Sequence, residues 1–331
     1  MADLLERARR GDEAAFAELA EPLRDELTAY CYRMLGSFHE AEDVVQEAMT
    51  RAWRSLARLD EPTSIRPWLY KIATNRCLTQ LGRTSRGREL PTDLTPGGAS
   101  AEVRWLEPYP DHRMRYMDDL APDSRTLARE SMRLAFVVAL QRIPARQRAV
   151  LLLREVLAYS AAETANLLDL SVASVNSALQ RARAVRPELT RSRDQLPADA
   201  DIRALADRYA AAWESGDVDA IVALLTDDAT YSMPLLPQYF VGREAIRTFL
   251  LDGPLPASWR FVPTRANGSV AFGTYLWDER ASAYLPSGLD VMTPRRDGVC
   301  EVVSFLDAGF VSYGLPDRLP VSDYFGRQRG L

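Results

Sequence analysis

Residues 159–183 read YSAAETANLLDLSVASVNSALQRAR, and their apolar spacing is that of two short helices joined by a tight turn. The first helix ends near Leu168. Ser171 then stands as the N-cap of a second helix, because its hydroxyl accepts a hydrogen bond from a backbone N–H of the first turn. Val172, Val175, Leu179 and Ala182 recur three or four residues apart and form the buried stripe of that second helix. Asp169 holds the turn position where glycine is usual, and Asp visits the left-handed region more readily than most residues. The layout is that of a helix-turn-helix. The remaining face carries Ser174, Ser177, Gln180, Arg181 and Arg183, with Ser171 at its front. Small polar residues there can approach base edges, and the arginines behind can hold phosphates.

Net charge over the 331 residues is −5, which taken alone argues against a general nucleic-acid binder. Its distribution argues otherwise. Residues 1–47 hold 12 acidic and 5 basic side chains, whereas residues 51–88 hold 9 basic and 2 acidic ones. Such a reversal predicts two surfaces with different partners, the second polyanionic. No stretch approaches the apolar run of roughly 20 residues that a membrane span needs, and the charged N-terminus carries no leader signature. The expected location is cytoplasmic, with no membrane partner. The three cysteines, Cys31, Cys77 and Cys300, are far apart in sequence and read as reduced thiols, so neither a metal nor a cofactor is expected.

Helical periodicity extends from Asp3 to about Arg83. In HEAEDVVQEAMTRAWRSL, Ala41, Val44, Val45, Ala48 and Ala52 make one buried stripe and leave Asp43, Gln46, Glu47 and Arg54 outside. The next helix runs from about Ser64, with Trp68, Leu69, Ile72 and Ala73 as its inward stripe. Residues 84–123 are rich in Gly, Pro, Ser and Thr and lose periodicity. Helices resume near Ser124. The third segment opens with two helices and turns into strands joined by tight turns, with Asn267-Gly268 and Asp297-Gly298 as hairpin signals. The division expected is 1–84 and 124–195 for two all-α domains, 85–123 for a linker, 199–313 for an α+β domain and 314–331 for a proline-punctuated tail.

The helix-turn-helix resembles the second conserved domain of bacterial sigma factors of the extracytoplasmic-function type, and the first 83 residues resemble the first. The family's acidic signature stands here as Asp43-Val44-Val45-Gln46-Glu47 followed by Trp53. The resemblance implies that this face docks on the clamp helices of the largest subunit of core RNA polymerase. RPWLYKIATNRCL is similar to the helix that meets the minus-ten promoter element. By that likeness Lys71, Asn75 and Arg76 face DNA, and the loop from Asp60 to Ser64 receives a flipped base; opened strands need cationic tracks and pockets for unstacked bases. Trp68, set in the apolar stripe, reads as core. The helix from Ser171 to Arg183 would read the minus-thirty-five element. Two modest DNA grips on one tether become a strong one when both engage, so tether freedom matters.

Residues 208–250 resemble the opening of SnoaL-like and ketosteroid-isomerase-like proteins, on the strength of Gly216-Asp217, Asp227-Asp228-Ala229 and Gly242-Arg243-Glu244. That likeness implies a cone with a curved antiparallel sheet around an apolar pocket, here involving Tyr209, Trp213, Met233 and Asp290. Tyr209 and Asp290 match the oxyanion-hole pair of the isomerases. Met233 stands at the proton-moving position, where a thioether cannot act as a base, so the domain is expected not to be an enzyme. A small apolar ligand would suit such a pocket. In the linker, WLEPYPD resembles a Trp-Leu-Pro-rich motif of sigma factors with this fused domain. Trp105, Leu106, Pro108 and Tyr109 are therefore expected to dock on the cone, with a local cluster on either helical domain as the alternative. The leading expectation is a promoter-specificity subunit regulated in cis by its C-terminal domain. The alternatives are a DNA-tethered small-molecule sensor or isomerase-like or cyclase-like enzyme, and an ordinary helix-turn-helix repressor dimer, against which the acidic Asp43 face and the second DNA helix speak.

Overall fold

A computed structural model of the chain describes residues 2–58, 64–84, 106–184, 199–234 and 238–320. They fall into two compact units, 1–88 with 113–191, and 89–112 with 192–331. The two helical segments thus share one unit, and linker residues 106–112 go with the α+β part.

The helical unit contains α1 (Ala2–Arg9), α2 (Glu13–Ala20), α3 (Arg24–Leu35), α4 (Phe38–Ser55), α5 (Ile65–Thr84), α6 (Pro122–Glu130), α7 (Leu134–Gln141), α8 (Ala145–Leu151), α9 (Ala161–Leu168) and α10 (Val172–Ala184). Caps explain where several begin. Gly36 takes φ +80 to end α3, and one residue later the Ser37 hydroxyl accepts from the Glu40 N–H to start α4. Ser160 and Glu163 form a capping box on α9. The α4 stripe is buried as its spacing predicts, with Ala41, Ala48 and Ala52 fully enclosed.

The α5 stripe needs correction. Leu69, Tyr70, Ala73 and Cys77 face the core, whereas Trp68 and Ile72 are only half-buried. Trp68, Lys71, Ile72 and Asn75 recur at three- and four-residue intervals, so the tryptophan shares a helix face with the expected DNA contacts rather than with the core. Buried groups hold the helical unit together. The Tyr70 and Tyr159 rings meet edge to face at 5.8 Å, the Arg66 guanidinium lies over both, and Arg66 pairs with Glu26. Arg148 donates to the carbonyls of Met34 and Ile143. Cys31 and Cys77 are buried free thiols and Cys300 is half-buried; burial, then the Cys77 contact, pushes the Cys31 thiol up.

The α+β unit contains α11 (Asp199–Ser215), α12 (Val218–Leu224), β1 (Leu225–Met233), β2 (Gln238–Val241), α13 (Arg243–Asp252), β3 (Trp259–Ala266), β4 (Ser269–Asp278), β5 (Ala283–Arg295) and β6 (Gly298–Phe305). The sheet order is β2-β1-β6-β5-β4-β3. It is mixed, not purely antiparallel as expected: β1 and β6 pair in parallel. These two strands are joined by α13 and four other strands rather than by a hairpin, so nothing forces them to run oppositely. Asn267 and Gly268, at φ +55 and +70, form the β3–β4 turn. The second hairpin turns at Arg296 and Asp297, one position earlier than its Asp-Gly signal, because Arg295 pairs with Gly298. Helix residues Leu205, Tyr209, Trp213 and Leu250 pack on sheet residues Phe261 and Phe272 in one core. Leu319 then pairs with Tyr284, so the start of the tail extends the sheet at β5.

Among the described residues no helix is long and apolar enough to cross a membrane, and no cluster of three or more His, Cys, Asp or Glu side chains is placed to hold a metal.

Candidate nucleic-acid interface and linker dock

Each end of the turn between α9 and α10 is fixed by one residue. Asp169 takes φ +52 and ψ +49 and closes α9 in the left-handed region. Ser171 caps α10: its Oγ accepts from the Ser174 N–H at 3.1 Å and shares a hydrogen bond with Ser174 Oγ at 2.8 Å. The inward stripe of α10 is Val175, Ala178, Leu179 and Ala182. Val172 does not belong to it, being 45% exposed at the first helical position; a side chain in the first turn lies beyond the helix it would have packed on. Ser174, Ser177, Gln180, Arg181 and Arg183 are all exposed. Arg183 is paired with Glu155 at 2.6 Å.

On α4, Asp43 and Gln46 are exposed and Glu47 is half-buried. Glu47 is held by Arg51 at 2.9 Å and by Arg76 of α5, and these two arginines keep its carboxyl below its ordinary value against the opposing effect of burial. One residue read as a polymerase contact and one read as a DNA contact are therefore bonded to each other. Lys71 reaches Asp169 at 2.6 Å and the Asn166 carbonyl at 3.3 Å, across to the helix-turn-helix turn. Asn75 and Ser64 are exposed. Asp60 and Trp105 lie outside the described residues.

Residues 106–112 of the linker are docked on the α+β unit. Leu106, Pro108 and Tyr109 are buried, with Tyr109 completely enclosed. The Tyr109 N–H donates to Asn267 Oδ1 at 2.8 Å, and the Asn267 N–H donates to the Tyr109 carbonyl at 2.9 Å, so a single turn residue satisfies both backbone groups. Asp111 accepts from the Gly268 N–H at 2.8 Å and from Arg265 Nε at 3.0 Å. The Tyr313 hydroxyl donates to the Pro108 carbonyl at 2.8 Å. Sequence reasoning missed Asn267, Asp111, Arg265 and Tyr313 as docking residues. The Asn267-Gly268 pair was visible only as a turn, and its side-chain amide, aimed along a strand edge, leaves no mark in sequence. Beside the dock is a cavity of about 430 Å³ lined by Asp111, His112, Pro263, Thr264, Arg265 and Tyr313.

Inside the α+β unit Tyr209, Trp213, Met233 and Asp290 are all buried. Tyr209 stacks on Phe272 at 6.2 Å and meets Trp213 edge to face at 6.3 Å. The Tyr231 hydroxyl lies 3.5 Å from Asp290 Oδ2. Tyr209 Oη, Trp213 Nε1 and Asp290 Oδ1 have no hydrogen-bond partner among the described residues. Burial raises the Asp290 carboxyl to about 6. Burial and then the Asp290 charge hold the Tyr209 phenol well above its usual range.

Comparison with known proteins assigns these parts. Residues 19–87 match the family described as Sigma-70 region 2, residues 133–184 that described as Sigma-70, region 4, and residues 206–305 the SnoaL-like domain. The chain is 43% identical over 329 residues to the ECF RNA polymerase sigma factor SigG of Mycobacterium tuberculosis, covering 94% of this chain and 86% of that one. The chain belongs to the extracytoplasmic-function sigma factors. SigW of Bacillus subtilis, another sigma factor of this type, is 28% identical over 186 residues, which is 56% of this chain and 94% of SigW. The crystal structure of the extracytoplasmic-function sigma factor SigJ of Mycobacterium tuberculosis shares the fold, with a TM-score of 0.60 at 23% identity over 91% of this chain and 99% of that one. In this sigma factor the two conserved helical regions are therefore followed by a SnoaL-like α+β domain, to which the linker of the same chain is bound.

Proposed function

We propose that this sigma factor binds core RNA polymerase through the acidic face of α4, engages the minus-ten element with α5 and the minus-thirty-five element with α10, and is modulated in cis by the SnoaL-like domain through its hold on the linker. The clamp helices of the largest subunit are the surface that Asp43, Gln46 and Glu47 would meet. Asp43 and Gln46 are exposed for that contact, whereas Glu47 first has to loosen its ties to Arg51 and Arg76.

The single observation that carries the regulatory part is Tyr109, fully buried and bonded through both backbone groups to Asn267. Burying one aromatic ring stabilises by about 4 kcal/mol at roughly 25 cal/mol per Å². Five hydrogen bonds hold residues 108–111, each adding about 1 kcal/mol. Ordering the six residues 106–111 costs on the order of 1–2 kcal/mol each. The terms nearly offset, so the dock is a balance that promoter or polymerase can tip. Because the linker ties region 2 to region 4, its capture restricts how the two DNA grips are placed.

The SnoaL-like domain does not turn over substrate in this reading, since Met233 offers no base where proton transfer would need one. Multi-round transcription with purified core enzyme tests the whole. Asp43→Lys should abolish association with core, and Tyr109→Ala should change promoter output while leaving core association intact. Full core binding by Asp43→Lys would overturn the proposed polymerase face.

A second reading, in which the domain also takes a small ligand, is favoured by the three unpartnered polar atoms on Tyr209, Trp213 and Asp290. Loss of buried polar partners costs a few kcal/mol, which a bound molecule would recover.

A further inference from the structure

The exposed front of α10 differs from the expected reading head of serines and arginines. Ser171 and Ser174 spend their hydroxyls on the cap and on each other. Arg183, in the last turn, is paired with Glu155. What stands free at the front is an apolar group, Val172, followed by Ala173 and, one turn on, Asn176. Val172 is 45% exposed, so its methyl groups are open to contact at the front of the helix. Asn176 is exposed and makes no side-chain hydrogen bond to another described residue.

We propose that Val172 and Asn176 are the base-reading pair of this sigma factor, Val172 against the C5 methyl of a thymine and Asn176 on the major-groove edge of an adenine close to it. The inference rests on the assignment of α10 to the upstream promoter element. In a helix-turn-helix the N-terminal residues of the second helix are the ones that reach base edges. Only thymine offers a methyl group in the major groove, and the asparagine amide matches the N6 donor and N7 acceptor of adenine in a bidentate pair. Residues 172 and 176 are four apart on one face, so their Cβ atoms lie about 6 Å from each other. Stacked base pairs are about 3.4 Å apart, which puts the two contacts one or two base pairs from each other on either strand. Ala173 between them carries no bulk to hold the helix off the groove.

The test uses holoenzyme reconstituted from the full chain and core polymerase. A promoter-fragment pool randomised at both elements is selected for open complexes, and each thymine of the enriched upstream element is then replaced singly by deoxyuridine, which pairs identically and lacks only the methyl. One replacement should weaken wild-type binding about fourfold, the worth of one buried carbon, and should have no effect on Val172→Ala. Selection with Asn176→Ala should lose an adenine one or two base pairs away, with discrimination at that position falling about tenfold. The proposal is overturned if no thymine is methyl-sensitive, if Val172→Ala keeps the same sensitivity, or if Asn176→Ala leaves the selected adenine in place. Failure of wild-type holoenzyme to enrich any fragment is a separate outcome, which would sink the promoter-reading role itself together with this inference. Both side chains are exposed, so neither substitution threatens the fold.

Discussion

Burial holds the Asp290 carboxyl at about 6 in the folded protein, against about 3.9 for a free aspartate. The folded state therefore keeps its proton in a range where the unfolded chain has already released it. Stability falls as pH rises from about 4 to about 6, and above that the cost of the charge, about 3 kcal/mol, is fully present. Asp228 works the other way: its pair with Arg295 lowers it to about 2, so its contribution is lost only in strong acid and is shared by any variant at position 290. Replacing Asp290 by Asn should flatten the slope between pH 4 and pH 7 by Asp290's share, leaving that of Glu301, whose carboxyl burial also raises, and should raise stability at neutral pH by an amount of that order. Urea unfolding at several pH values reads this directly, and parallel curves for the two proteins would show that Asp290 is charged throughout. Single residues also mark where sequence reading reached its limit. The αL role of Asp169 and the cap at Ser171 were legible because both depend on neighbours in sequence. The exposure of Val172 was not, because a three- or four-residue interval cannot tell whether a first-turn side chain has anything to pack against.

At the scale of elements, the linker dock joins a strand-like run to the tip of a hairpin. Asn267 sits in the left-handed region and also supplies Oδ1 to the Tyr109 N–H, so its two duties can be separated. Asn267→Gly keeps the backbone geometry and strands the Tyr109 N–H, at a cost of about 1–3 kcal/mol. Limited proteolysis between residues 106 and 111 should then run roughly tenfold faster, by the free-energy change of a lost buried hydrogen bond. Asn267→Asp retains an acceptor and should restore most of the protection. Equal cleavage in all three proteins would show that the dock does not depend on this bond. That the WLEPYPD stretch needs a surface was legible from its buriable rings, whereas the choice of the C-terminal domain over either helical domain was implied by its resemblance to the linker motif of sigma factors with this fused domain. Which residues receive it was not, because Asn267, Arg265 and Tyr313 lie more than 150 positions away and act through turn geometry and a strand edge. The parallel pairing of β1 and β6 escaped for the same reason: strand periodicity reports a face and says nothing of a distant partner's direction.

At the scale of the whole molecule, the order of the parts was written in local patterns, whereas the packing of both sigma regions into one helical unit depends on side chains with no local signature, such as Tyr70, Tyr159 and Arg148. The consequence is functional. Lys71, the lysine of the helix assigned to the downstream element, is paired with Asp169, the turn residue of the helix assigned to the upstream one. Under the proposed function, the charge of Lys71 is thus held by the turn of the other DNA-reading element until DNA arrives. The bridge is half-exposed on the lysine side and largely exposed on the aspartate side, so it stabilises the closed unit by at most about 1 kcal/mol, and the buried contacts around Arg66 and Arg148 carry the rest. A bridge of that size biases an equilibrium without locking it. Asp169→Gly supplies the residue most at ease in the left-handed turn and removes the carboxylate. It should therefore preserve the helix-turn-helix and tighten promoter binding by about two- to fivefold, the equivalent of a surface ion pair. The gain should shrink as salt screens the pair. Lys71→Ala should weaken binding and, combined with Asp169→Gly, erase the gain. If Asp169→Gly binds promoter no better than wild type at low salt, or improves binding equally with and without Lys71, the pair does not restrain the DNA-reading surfaces.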